Sequence, residues 1–268
     1  MKLFDLGPGP ALLAIATLGL GVLTLIYRDF ALNWQPIPGS MPAREALVFV
    51  SAFSLLASGI GILMQRIAAR SALFLFGYLL VFWVIPHLIT VVPNFKSIGP
   101  WLGLCESLGV LSGAWLLWAQ LTDSPIDSAQ NVDFRRNSIR AFRRLFGLCC
   151  VIYGVSHFVY ADFTAGMIPQ WFPQRLWLAY ATGAAHAAAG LGMVLGIYPR
   201  LAAILEAAMM SAFVVVLHIP SLWTQPPPAW GPTLRTELTP LFWATALAAS
   251  AWLVARSYTL LMSRQSAR

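Results

Sequence analysis

Apolar runs close to 20 residues long recur from one end of this chain to the other, and that recurrence limits its fold more than any other feature. At 1.5 Å per residue, each run as a helix covers the roughly 30 Å of hydrocarbon in a bilayer. In lipid every backbone N–H and C=O must be satisfied inside the protein, so runs of this kind form helices. Eight of them predict transmembrane helices over about 10–27, 45–64, 70–92, 98–121, 142–161, 176–197, 199–221 and 236–258. The expected fold class is an all-α membrane protein. Only 10% of the 268 residues are charged, against about 25% in a soluble domain, so no water-exposed surface of useful size is left over. The first run has only Lys2 as a positive charge before it and no small-x-small cleavage pattern after it, so it reads as a retained span.

Orientation follows from charge. The one long polar stretch, from Thr122 to Arg140, leads into Arg135, Arg136, Arg140, Arg143 and Arg144, and the positive-inside rule makes it cytoplasmic. Counting outward places both termini in the cytoplasm, with 12 Lys and Arg residues inside and 5 outside. The net charge of +7 is then explained by arginines beside anionic lipid, with no nucleic-acid partner. Localisation in a bacterial cytoplasmic (inner) membrane is expected. Phe134, Ile139, Phe142 and Phe146 interleave with these arginines, which suits a short amphipathic helix on the inner surface ahead of the fifth span.

The chain also repeats itself. Ile37-Pro38-x-x-x-Pro42-x-Arg44 returns 131 residues later as Ile168-Pro169-x-x-x-Pro173-x-Arg175, and the same offset pairs His87 with His218 and Glu106 with Glu237. This divides the chain into a degenerate four-helix repeat at 1–121, a basic linker at 122–144 and a second four-helix repeat at 145–268. Four is an even number of spans, so the two repeats enter the membrane in the same direction.

Ionisable groups inside spans are costly and mark candidate sites. The second repeat carries His157, Asp162, Arg175, His218 and Glu237 toward its outer end and His186 deeper, while the first has Thr24 and Leu55 where His157 and His186 stand. His186 shares a helical face with Gly183, Ala187 and Gly190, small residues that admit a neighbouring backbone, so it points into the bundle. His157 lies among Tyr153 and Tyr160, which suits a quinone-like ring or simple interfacial anchoring. Arg175 opens a helix where the dipole disfavours a cation, so it calls for an acid; Asp162 and Asp29 are the nearest. His218 and Glu237 flank the stiff Pro226-Pro227-Pro228 loop. No H-x-x-x-H or H-E-x-x-H spacing favours a metal, which ranks metal and haem behind a quinone as cofactor. Glu206, alone in the inner half of the seventh span, fits a proton relay or a snorkelling side chain, and the second reading is favoured. Cys105, Cys149 and Cys150 include no C-x-x-C pair, and span counting sets Cys105 at the opposite membrane side from the other two, against a dithiol relay. Walker A, Gly-x-Gly-x-x-Gly and Gly-x-Ser-x-Gly elements are missing.

At Gly154-x-x-His157-Phe158, Phe163-x-x-Gly-Met-Ile-Pro169-x-Trp-x-Pro173 and Thr182-Gly183-x-x-His186-x-x-x-Gly190-x-Gly192, the chain resembles the DoxX-like membrane proteins. The likeness covers about residues 145–221 well and the first repeat faintly. It implies a four-helix membrane fold and, in some members, association with quinol oxidase or thiosulfate:quinone oxidoreductase systems. The sequence departs from that family at His186, where a glutamate is common, and in fusing two units.

These residues lead to one expectation and two rivals. The first is a redox-linked subunit that binds a quinone or similar apolar carbonyl compound near the outer leaflet. His157 and His186 are its catalytic candidates; Tyr153, Tyr160, Asp162, Arg175, His218 and Glu237 are its binding candidates. Electrons would come from a membrane redox partner. The rivals are a small-solute transporter working at the junction of the repeats and a non-catalytic assembly subunit.

Overall fold

A computed structural model of the chain describes residues 7–122, 129–223 and 234–265, and every regular element among them is helical. Eight helices are long and apolar enough to cross a membrane: α1 (Gly9–Tyr27), α2 (Arg44–Leu63), α3 (Ala68–Asn94), α4 (Ile98–Leu121), α5 (Ala129–Val159), α6 (Arg175–Leu195), α7 (Pro199–Ser221) and α8 (Leu234–Gln265). A short helix, Ala161–Met167, connects α5 to α6. The chain is thus an integral membrane protein by length and composition of its helices.

One boundary differs from expectation. The basic segment before the fifth span is not a separate surface helix, because α5 runs unbroken from Ala129 into the span. No proline or glycine interrupts residues 129–146, and arginine is a good helix former. Two of its arginines turn inward: Arg135 donates to Thr122 O at 2.6 Å, and Arg143 donates to the Ser257 hydroxyl at 2.7 Å and its carbonyl, with its guanidinium 4.0 Å from the Tyr258 ring centre.

Consecutive helices pack on one another around a closed circuit, α8 closes it against α1, and α4 meets α8 across the middle. The tightest seam joins α5 to α6. A side chain at Gly154 would meet Gly183 O at 2.6 Å, and one at Gly190 would meet Gly147 O at 2.5 Å. Glycines seven residues apart on each antiparallel helix therefore bring the two backbones together, as small residues do in lipid, where no hydrophobic force draws helices together.

Two helices widen at the same kind of place. Residues Leu80–Val84 of α3 and Val214–His218 of α7 form π turns, and each is followed by Ile-Pro, Ile85-Pro86 and Ile219-Pro220. A proline cannot donate to the carbonyl four residues back and its ring crowds it, so the turn opens to bonding five residues back. These turns recur at an offset of 134 residues, which sets His218 three positions ahead of the place His87 holds in its own helix.

Candidate functional site

A cavity of about 620 Å³ opens among the loops at the end of the bundle away from Gly9 and descends between α4, α5, α6, α7 and α8 to Tyr153, His186 and Leu247. Its walls are largely apolar and aromatic, yet all four histidines of the chain line it, together with Glu106.

At its base, α6 delivers His186 and α7 delivers Glu206. The imidazole Nδ1 lies 2.8 Å from Glu206 Oε1, with the two side chains 2% and 0% exposed. Glu206 is therefore not a snorkelling side chain. It shares the stripe of Ala203, Ala207 and Met210, the face that α7 buries, and burial beside a hydrogen-bonding ring is far better than burial alone. The spacing of those residues held the signal: Glu206 stands on the small-residue face. The Cys150 thiol lies beside the same carboxylate.

His157 sits one helical layer above, its ring centre 5.0 Å from that of His186 and the planes at 75°. Its Nδ1 meets the Thr182 hydroxyl at 3.0 Å. The Tyr153 ring stands edge-on to His186 at 5.8 Å and donates its hydroxyl to Cys105 O at 2.9 Å, over Gly109, where any side chain would strike it. Tyr160 and His218 line the upper part of the same space. Five of the eight site residues expected from sequence, Tyr153, His157, Tyr160, His186 and His218, thus surround one cavity.

The other three do not. Asp162 is exposed, Arg175 and Glu237 are half-buried, and none lines the cavity. The Asp162–Arg175 pair is absent among the described ion pairs. In the first half the corresponding pair does form, Arg44 to Asp29 at 2.5 Å, and Asp29 also accepts from Arg235 at 3.0 Å. The Pro226-Pro227-Pro228 loop lies outside the described residues.

Sequence reading missed the first half's contribution. His87 of α3 bonds Trp34 O at 3.1 Å through Nε2, its ring lying where a side chain at Gly103 would be. Glu106 of α4 accepts the Trp243 indole N–H at 3.2 Å, and Trp243 stacks on Trp83 at 4.4 Å. Both residues stand in the pairs spaced 131 residues apart, yet neither was among the expected site residues. The cysteines also need correction. The Cys149 thiol lies beside that of Cys105, because α4 descends and α5 ascends, placing both about 10–15 Å below the same rim. All three thiols are free and buried. Among the described residues no three His, Cys, Asp or Glu side chains converge as metal ligands would.

The family described as a domain of unknown function, DUF8561, matches residues 146–255, from within α5 to within α8. No curated protein and no solved structure matches the chain.

Proposed function

We propose that this chain is a membrane subunit that binds a quinone-type ring compound in the cavity above His186, with electrons exchanged through a partner protein. The observation that carries the reading is one apolar space of about 620 Å³ with an imidazole–carboxylate pair at its base and a second imidazole beside it. That volume falls within the range that encloses a drug-sized ligand, and a mostly apolar wall with a few polar groups is how such ligands are fixed. A flat ring fits between aromatic walls, its oxygens reach His157 and His186, and the Glu206 carboxylate orients the deeper imidazole and steadies any charge on it.

The resemblance to DoxX-like proteins belongs to this reading, as does duplication of a four-helix unit. Supporting the duplication, the packing partners map onto themselves when α1–α4 are exchanged for α5–α8, including the α4–α5 and α8–α1 contacts. A bacterial inner-membrane location with the cavity facing outward is part of the same proposal, resting on the arginine distribution.

The test is direct. Purified chain in mild detergent, titrated with a short-chain benzoquinone and its benzoquinol, should show saturable quenching of tryptophan fluorescence, since Trp34 and Trp243 line the cavity. His186→Ala should weaken binding by about tenfold or more. Failure of both forms to bind removes the proposal.

A further inference from the structure

Hydrogen-bond polarity inside the cavity selects between the two forms of such a ring compound. A carbonyl oxygen only accepts, so a ring nitrogen that faces one carries the proton. His157 Nδ1 faces Ala179 O at 3.4 Å and the Thr182 hydroxyl at 3.0 Å, and that hydroxyl already donates to Leu178 O at 2.9 Å. Both contacts make Nδ1 the N–H and leave Nε2 as a lone pair. His87 is fixed the other way round, with Nε2 donating to Trp34 O and Nδ1 left as the acceptor. Glu106 receives the indole N–H of Trp243 at 3.2 Å, so its bonded oxygen is an acceptor.

The deep hydroxyls have no hydrogen to offer. Tyr153 gives its own to Cys105 O at 2.9 Å, Ser156 to Tyr153 O at 2.7 Å, and Thr90 to His87 O at 2.8 Å. Asn33, Tyr160 and Thr164 are able to donate, but they sit at the mouth, while His186 and His218 can present either polarity. Among the described residues no lysine or arginine lines the cavity, in a chain that holds 17 of them.

We infer that, if the site takes a quinone-type ring as proposed above, it is built for the reduced, dihydroxy form and selects against the oxidised dicarbonyl. A quinol brings two O–H donors to a space whose fixed interior groups accept. A quinone brings only acceptors, so its oxygens would face the lone pairs of His157, His87 or Glu106 with both sides desolvated and no bond formed.

The experiment compares three probes on the full chain in detergent under anaerobic conditions: a short-chain benzoquinol, the matching benzoquinone, and the dimethyl ether of the quinol, which keeps its shape and lacks its donors. The quinol should bind tighter than either by about tenfold or more. Glu106→Gln replaces one acceptor oxygen by an amide donor and should narrow the gap; His157→Phe, which keeps a ring and removes the lone pair, should do the same. Quinone binding equal to or tighter than quinol overturns the inference and leaves the ring-binding reading standing, as does a gap that neither variant changes. Binding by none of the three removes both.

Discussion

A buried carboxyl group with an imidazole at 2.8 Å is costly once either is removed. The survivor must then hold its polar atoms in an apolar surround without a partner. Glu206→Ala and His186→Ala should each destabilise the protein by about 2 kcal/mol, and the double variant by clearly less than their sum, read from unfolding midpoints in a common detergent. Additive losses would mean that the contact contributes nothing. At this scale the sequence was half legible. Gly183, Ala187 and Gly190 around His186 showed that it faces inward, because small residues at helical spacing mark a helix contact. Glu206 was misread because a lone acid in an apolar run also fits a side chain reaching for the interface; only its register with Ala203 and Met210 separates the two. His87 and Glu106 were visible as repeat partners, but no spacing rule tells that side chains from two halves of a chain share one space.

The elements were more legible than the residues. Helix number and approximate limits follow from apolar run length, since lipid leaves the backbone no alternative. The π turns of α3 and α7 were not read, although each sits directly ahead of an Ile-Pro pair whose missing N–H causes it. The α5–α6 seam gives a sharp prediction. A single added methyl at Gly154 would meet the backbone of Gly183 and Ala187 at 2.6 and 2.8 Å, so the helices must separate. Gly154→Ala should therefore destabilise by about 1–3 kcal/mol and disturb the cavity wall that α5 and α6 provide. At Gly77 of α3 nothing lies within 4 Å of such a methyl, and alanine is the better helix former. Gly77→Ala should be neutral or raise stability by up to about 1 kcal/mol. Equal responses at the two positions would show that the seam is not tightly packed.

Across the whole molecule, the cavity depends on residues from both halves, so whatever holds the halves in register also holds the site. Asp29, just past the end of α1, joins them: it binds Arg44 at the start of α2 and Arg235 at the start of α8, while Arg235 also donates to Phe30 O at 2.7 Å and lies over the Tyr27 ring. Partial burial alone would raise the Asp29 carboxyl, but the hydrogen bonds from Arg44 and Arg235 outweigh it and hold its pKa below the ordinary 3.8. A carboxyl lowered by folding binds fewer protons in the native state than in the unfolded one. Its contribution is therefore complete above its ordinary value and disappears as pH falls through the lowered one. Because the side chain is about a third exposed, the gain is screened and modest, about 1 kcal/mol. Asp29→Asn should melt below the parent chain at pH 7 and at pH 5 by the same margin, and the two should converge as pH falls below about 4. A margin that persists unchanged into acid would show that Asp29 acts through packing or neutral hydrogen bonds, and that charge does not join the halves at this end of the bundle.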